Sequence, residues 1–133
     1  MWTTTIRPRI GDTDALGHIH NNTFGAWFEQ GRYGLFKIFG HDDGKLNPAD
    51  WPLIMAHTDY DFIAQAYLQP DVEIRTSISR IGTKSFTVYH EAWQEGRLCA
   101  KGNAVICYYN HKEQKSAPLP EDKKALLQEH MTD

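Results

Sequence analysis

The spacing of hydrophobic and polar residues changes twice along the chain, and each change predicts a different kind of element. Between residues 24 and 39, large apolar side chains recur at intervals of three and four, which is typical of a helix with one wide apolar stripe. Residues 21–23 are Asn, Asn and Thr, whose side chains can cap the first free backbone N–H groups. We therefore expect a helix that begins there, is buried on most sides, and ends at Gly40 before a polar loop through Asp50.

Strand-like patterns precede and follow this helix. Residues 3–11 alternate loosely and run into a polar loop, which predicts a first strand. After Trp51 the period becomes two, in four segments at 53–64, 71–81, 85–94 and 98–109. Gly82-Thr83 and Glu95-Gly96 suit short hairpin turns, and residues 121–131 follow two prolines as a short amphipathic helix or a loose tail. Strands grouped around one helix predict an α+β fold in which an antiparallel sheet curls round that helix.

Three glycines lie inside the predicted helix, at Gly25, Gly31 and Gly34. Each glycine costs a helix about 1 kcal/mol relative to alanine. We expect the missing side chains to let the helix backbone pass close to the sheet.

Length and composition narrow the class of protein. At 133 residues the chain suits one core, and we predict a single domain over residues 1–133. A formal charge of -3 without long runs of one sign offers no surface for nucleic acid, and no segment approaches the roughly 20 apolar residues of a membrane span. Because the sequence has no signal-peptide pattern, we expect a cytoplasmic protein that binds neither nucleic acid nor a membrane. Cys99 and Cys107 lie too far apart in one strand for a disulfide and are expected to be reduced core thiols.

Residues 11–22 concentrate polar chemistry directly before the helix. They include two carboxylates, two imidazoles, two carboxamides and two glycines: Asp12, Asp14, His18, His20, Asn21, Asn22, Gly11 and Gly17. The first turn of a helix presents unbonded N–H groups and about half a positive charge, which stabilise an oxyanion. From the loop, Asp14 can attack a carbonyl carbon or take a proton from water. A helix N-terminus and a loop carboxylate together suit the hydrolysis of a thioester, because a thiolate leaves without strong acid assistance.

These residues also carry a family resemblance. Asp14-x-x-Gly17-His18 followed by Asn21-Asn22, an aromatic helix containing Glu29, and the strand entry at 80–86 together resemble the hotdog-fold acyl-CoA thioesterases of the 4-hydroxybenzoyl-CoA thioesterase type. The resemblance covers the chain from Thr5 to about Pro120. It implies a five-stranded antiparallel sheet wrapped around a long central helix, and subunits paired edge to edge as a homodimer or, with two dimers, a homotetramer. It also implies an active site between two subunits.

The resemblance implies a role for individual residues of this chain. Asp14 corresponds to the catalytic aspartate of the family, which acts as nucleophile or general base. His18 and Glu29 are further catalytic candidates. In the related acyl-carrier-protein thioesterases an Asn lies two residues after the aspartate, but Leu16 stands there in this chain, so Asp14 is the stronger candidate. The implied substrate-binding residues are Gly17, His20, Asn21 and Asn22 beside the thioester carbonyl, and Arg80, Lys84 and Ser85 on the phosphates of CoA. The implied reaction converts an acyl-CoA to a free acid and CoA with no cofactor and no metal.

Two other readings of the sequence stay open. Asp12, Asp14, His18 and His20 offer oxygen and nitrogen ligands for a metal, although their spacing matches no recognised site. Alternatively, the chain is a non-catalytic hotdog module that binds acyl-CoA or a partner without turnover. An acyl pocket is a further possibility for four large side chains that are more often core residues: Trp27, Phe28, Met55 and Phe62.

Overall fold

A computed structural model describes residues 1–40 and 51–131, so the polar loop expected through Asp50 lies outside the described residues. The strands are β1 (Trp2–Ile6), β2 (Leu53–Phe62), β3 (Val72–Ile81), β4 (Ser85–Gln94), β5 (Arg97–Asn110) and β6 (Lys115–Ser116). The helices are α1 (Thr23–Gly31), α2 (Leu35–Phe39) and α3 (Glu121–Gln128), and short 3-10 turns lie at Ile10–Asp12 and Arg32–Gly34.

The strands form one antiparallel sheet in the order β1-β3-β4-β5-β2, with the two-residue β6 added against the end of β5. The five principal strands confirm the expected sheet, and β6 is an addition that the pattern did not predict. The turn between β4 and β5 has positive φ at both Glu95 and Gly96, as a tight hairpin requires. The first strand is shorter than expected and ends at Ile6, because the chain then turns into the 3-10 segment before the polar loop.

The expectation of a long central helix is wrong. The helical segment spans 17 residues, Thr23 to Phe39, and the 3-10 turn at Arg32–Gly34 divides it. Two of the predicted helix glycines lie at this break: Gly31 directly precedes it, and Gly34 is its last residue. Gly31 lies against the β3 side chains, and Gly34 lies against the Trp2 indole, so the expected close approach of helix and sheet is confirmed.

The helix is buried along one face and exposed along the other. Its buried side chains alternate with exposed ones such as Glu29 and Lys37, so the expectation of burial on most sides is also wrong. Phe24, Trp27 and Phe28 enter one core cluster with β3, β4 and β5, and the residues of α2 enter a second cluster with α3. Each such side chain stabilises the fold by roughly 1.5–3 kcal/mol. The sheet and α3 therefore hold α1 and α2 in place from one side.

Two smaller expectations are corrected at the ends of elements. Asn22 occupies the helix cap position, but its side chain makes no capping hydrogen bond, because its backbone is already helical. Cys99 and Cys107 are both free thiols, but only Cys99 is a core residue, and Cys107 is half-buried.

Candidate active site

Asp14 lies in a small closed loop between Thr13 and Ile19, which form an antiparallel bridge. The Asp14 N–H donates to His18 O at 2.7 Å, and the Gly17 N–H donates to Asp14 O at 3.2 Å. Gly17 has a φ of +81°, a conformation that side chains other than glycine rarely adopt. The requirement for glycine at this position therefore comes from the turn itself.

The carboxylate of Asp14 is held by the backbone of its own loop. Its Oδ1 accepts the Leu16 N–H at 2.8 Å and the His18 N–H at 3.1 Å. The hydrogen bond from Leu16 is the main reason that the pKa of Asp14 lies below its usual value, and the bond from His18 adds to it against the effect of desolvation. No donor from residues 1–40 or 51–131 contacts Oδ2. Asp14 thus presents an ionised group with one oxygen fixed and the other open.

The Asp14 loop is fastened to the segment between β2 and β3. Ile19 donates its N–H to Ala66 O at 2.8 Å, and His18 forms an antiparallel bridge with Tyr67. That segment is in turn bound by the buried side chain of Gln94, which donates to Pro70 O. Sequence reasoning missed Gln94. The available signal was a polar residue at a position of β4 that alternation places on the buried face.

The backbone amides at the start of α1 are partly engaged within the protein. His20 donates its N–H to Asp12 O at 2.8 Å, and the Asn22 N–H donates to His20 Nδ1 at 3.2 Å. The Asn21 N–H has no acceptor among the described residues. Of the three amides expected to hold an oxyanion, the one of Asn21 is therefore the best placed to do so, and that of Asn22 is blocked only by an exposed imidazole.

The His18 ring is turned toward Tyr67 and meets it edge-on, with 5.5 Å between the ring centroids. His18 contributes to the Asp14 site through its backbone N–H, which bonds the carboxylate.

Glu29 is exposed and lies at an apolar pocket of about 310 Å³ between the helix and the sheet edge. The pocket is lined by Glu29, Arg32, Leu35, Phe36, Trp51, Leu53, Met55 and Ile106. Of the four side chains considered as the lining of an acyl pocket, only that of Met55 is among the residues that line this one. Trp27 and Phe28 are core residues, and Phe62 packs on Phe24 with 6.0 Å between the ring centroids.

Arg80, Lys84 and Ser85 lie around the hairpin between β3 and β4. The Asp14 loop contacts the chain just before β3 begins, so the length of this ten-residue strand separates the two groups. That length is roughly 30 Å. A single protomer therefore does not bring the expected phosphate-binding residues to Asp14.

The residues considered as metal ligands are only partly free. Asp12 is buried, and its carboxylate accepts hydrogen bonds from the backbone N–H and the guanidinium of Arg9. Within residues 1–40 and 51–131, no group of three or more His, Cys, Asp or Glu side chains is arranged to hold a metal ion.

A curled antiparallel sheet around a short helix, with a loop carboxylate before that helix, defines a hotdog domain of the thioesterase type. The family model described as the thioesterase-like superfamily matches residues 8–127, and the chain belongs to this superfamily.

Solved structures and a curated relative resemble the chain over most of its length. A predicted thioesterase from Bacillus stearothermophilus is 38% identical with a TM-score of 0.92, over 99% of this chain and 97% of that one. A thioesterase from Thermus thermophilus, complexed with coenzyme A and Zn, is 23% identical with a TM-score of 0.82, over 96% and 91%. The uncharacterized protein YsmA of Bacillus subtilis (strain 168) is 24% identical over 92% of this chain and 82% of its own. None of the described helices is long and apolar enough to cross a membrane.

Proposed function

We propose that this protein hydrolyses an acyl-CoA thioester to a free carboxylic acid and CoA, with Asp14 as the catalytic carboxylate. The observation that carries the proposal is the Asp14 carboxylate itself, which is ionised, fixed through Oδ1 and open at Oδ2, on the loop that leads into α1. Membership of the thioesterase-like superfamily supports the reaction type, and the coenzyme A complex of the Thermus thermophilus relative supports CoA as the thiol.

Two routes are open to Asp14. As a nucleophile, its Oδ2 attacks the carbonyl carbon, the C–S bond breaks to release the CoA thiolate, and water then hydrolyses the acyl-aspartate anhydride. As a general base, it takes a proton from the water that attacks the same carbon. In both routes the carbonyl oxygen gains negative charge, and the Asn21 N–H at the positive end of α1 is the donor that we assign to it. Gly17, His18, His20 and Asn22 shape the surface beside that oxygen.

We also propose that two copies pair through β2. This strand is an edge of the sheet, and each residue after Leu53 is exposed. Met55, Tyr60 and Phe62 lie opposite buried residues of β5, so they face the helix side although they are exposed. A long apolar edge of this kind is a template for another strand. A second copy of β2 would extend the sheet and cover these side chains, in a homodimer from which a homotetramer can form.

Two-fold pairing explains how distant parts of the chain serve one site. A two-fold axis places the two β2 strands antiparallel, so the Leu53 end of one protomer lies beside the Phe62 end of its partner. The Asp14 loop is near the Phe62 end, whereas the 310 Å³ pocket and the hairpin of Arg80, Lys84 and Ser85 are near the Leu53 end. Asp14 of one protomer would then face Glu29 and the acyl pocket of the other, with CoA phosphates on its Arg80 hairpin.

Asp14→Asn is the variant that tests the function. It keeps the side-chain oxygen that accepts the Leu16 and His18 N–H groups and removes the charge. We expect the wild type to release free thiol from a panel of acyl-CoA esters in the presence of a chelator. The variant should lose about 100- to 10,000-fold of this activity, the size of effect that a positioned general base contributes. Single turnover in ¹⁸O-labelled water, followed by mass spectrometry, separates the two routes, because only the nucleophilic route can place the label in Asp14.

The same panel tests the non-catalytic alternative. Saturable binding of acyl-CoA by the wild type without any thiol release would overturn hydrolysis in favour of a binding module. Turnover that a chelator abolishes and a divalent metal restores would instead favour metal-assisted chemistry. Unchanged turnover in Asp14→Asn would refute the choice of catalytic residue.

A further inference from the structure

The apolar pocket between the helix and β2 has one charged group at its inner end. Most of its lining is apolar, including Leu53 and Met55, and its volume of about 310 Å³ lies at the small end of ligand pockets. Arg32 reaches inward from the 3-10 turn to a histidine on the buried face of β4, whereas Glu29 is exposed at the rim. The pocket therefore has an exposed carboxylate, Glu29, at its rim, an apolar wall, and the half-buried guanidinium of Arg32 at its inner end.

The guanidinium of Arg32 is fixed by a neutral partner. Arg32 Nη1 lies 3.1 Å from His90 Nε2, and His90 Nδ1 lies 3.0 Å from Gly102 O. A carbonyl oxygen only accepts, so Nδ1 carries the proton and Nε2 accepts the Arg32 N–H. Burial lowers the pKa of His90 to about 4, which keeps the ring neutral at neutral pH. This contact orients the guanidinium without compensating its charge.

No carboxylate of the described residues compensates that charge by direct contact. Within residues 1–40 and 51–131, none lies within 4.0 Å of Arg32, although Glu29 is only one turn away along the helix. Burial lowers the pKa of Arg32, and the charge of Glu29 offsets only part of this effect. A guanidinium has five N–H donors in a planar fork that matches a carboxylate, and the contact with His90 uses one of them.

We infer that the pocket binds the acyl group of a dicarboxylic acid thioester, with the methylene chain against Leu53 and Met55 and the distal carboxylate paired with Arg32. This inference rests on the proposed thioester hydrolysis and names its substrate class. An anionic group that enters the pocket leaves water and needs a partner, and Arg32 supplies charge-assisted hydrogen bonds to it. A methyl group in the same place leaves the half-buried guanidinium without an anionic partner.

A ratio of rates tests this inference. We expect kcat/KM for glutaryl- and adipoyl-CoA to exceed that for pentanoyl- and hexanoyl-CoA in the wild type, and this ratio to fall roughly 10- to 100-fold in Arg32→Met. A loss of helix or sheet packing lowers both rates and leaves the ratio unchanged, so the ratio separates recognition from stability. Arg32→Lys keeps the charge but loses the fork and should retain part of the preference. Lys37→Met removes an exposed cation from the same helical segment and should leave the ratio at its wild-type value.

Non-hydrolysable thioether analogues of the same four esters distinguish failure of this inference from failure of the proposed function. If no ester is hydrolysed, the function fails, while calorimetric binding of the analogues still reports the preference for a distal carboxylate. An equal affinity for carboxyl- and methyl-terminated analogues, or a preference that survives in Arg32→Met, would overturn the assignment of Arg32.

Discussion

Gln94 binds the backbone of Tyr67 through both ends of its side-chain amide. Its Oε1 accepts the Tyr67 N–H at 2.9 Å, and its Nε2 donates to Tyr67 O at 2.9 Å. The side chain thus takes the place of a neighbouring strand for a residue that lies between β2 and β3. Because Tyr67 bridges His18, and the His18 N–H bonds the Asp14 carboxylate, the buried amide of Gln94 is connected to the proposed catalytic group by two further contacts.

Replacing Gln94 by leucine tests whether it positions the Asp14 loop. The substitution leaves backbone groups of Tyr67 without partners, and each lost partner costs about 1–3 kcal/mol. We expect kcat to fall about 10- to 100-fold, because a displacement near 1 Å at a catalytic group has an effect of that size. KM should change much less, since the proposed acyl pocket lies elsewhere. Thiol release under conditions in which circular dichroism reports a folded protein measures both constants.

A matched variant keeps this prediction falsifiable. Gln128→Leu changes the same kind of side chain at an exposed position at the end of α3 and should alter neither kcat nor KM. A folded Gln94→Leu protein with wild-type kcat would show that Gln94 stabilises the fold without positioning Asp14.

The buried His90 makes the stability of the protein depend on pH. Its pKa is lowered to about 4 by burial, whereas the unfolded chain binds a proton near pH 6.5. Between these values the unfolded state holds more protons, so the contribution of His90 is fully present above about pH 6.5 and is lost as the pH falls toward 4. The difference corresponds to about 3 kcal/mol. Urea denaturation at several pH values from 7 to 4.5 measures it.

Variants identify the group responsible for that pH dependence. His90→Gln should flatten the decrease in the free energy of unfolding below pH 6.5, because the titrating ring is gone. His111→Gln removes an exposed histidine after β5 and should keep the wild-type decrease. Parallel curves for the wild type and His90→Gln would be incompatible with a buried neutral imidazole at this position.

Local patterns in the sequence predicted the five principal strands and the position of the helix, but not the contacts between residues that are distant in the chain. The alternation in β4 and the Glu95-Gly96 turn predict the hairpin with β5, because both depend on neighbours in the chain. Gln94 and Tyr67 are 27 residues apart, and only the register of the whole sheet brings them together. The contact of Arg32 with His90 is hidden for the same reason, because 58 residues separate them. The glycines did signal that the helix lies close to the sheet, but they did not signal the 3-10 break that divides it, where Gly31 lies against β3 and Gly34 against Trp2.

A substitution at Thr58 tests which edge of the sheet forms the interface of the proposed dimer. It is exposed in the middle of edge strand β2, and a two-fold axis would bring two copies of any charge there close together. Thr58→Asp should therefore dissociate the dimer and abolish thiol release, since the proposed site draws residues from both protomers. Thr3→Asp places the same charge on an exposed threonine of the opposite edge strand, β1, and should keep both the dimer and the activity. Sedimentation velocity and thiol release report the two properties together.

Either of two results would contradict this arrangement. A verified Thr58→Asp monomer with full turnover would refute the shared site. Dissociation by Thr3→Asp alone would place the interface at the other edge of the sheet.

Gly31 is a position where α1 lies directly against the buried face of β3, and its substitution tests how much that close approach stabilises the fold. A Cβ at Gly31 would lie 2.5 Å from Thr76 Oγ1 and 2.7 Å from Ile74 Cγ2, both on the buried face of β3. Alanine adds about 1 kcal/mol of helix propensity, but forcing a methyl group into a packed core typically costs about 1–3 kcal/mol. We expect Gly31→Ala to lower the free energy of unfolding by up to about 2 kcal/mol in urea titration.

Gly25→Ala is the matched control. A Cβ at Gly25 would lie 3.1 Å from the hydroxyl oxygen of exposed Tyr60, which can move aside, so this variant should be neutral or slightly stabilising. Equal stability changes in the two variants would mean that β3 yields to the added methyl group, and that close packing does not require glycine at position 31.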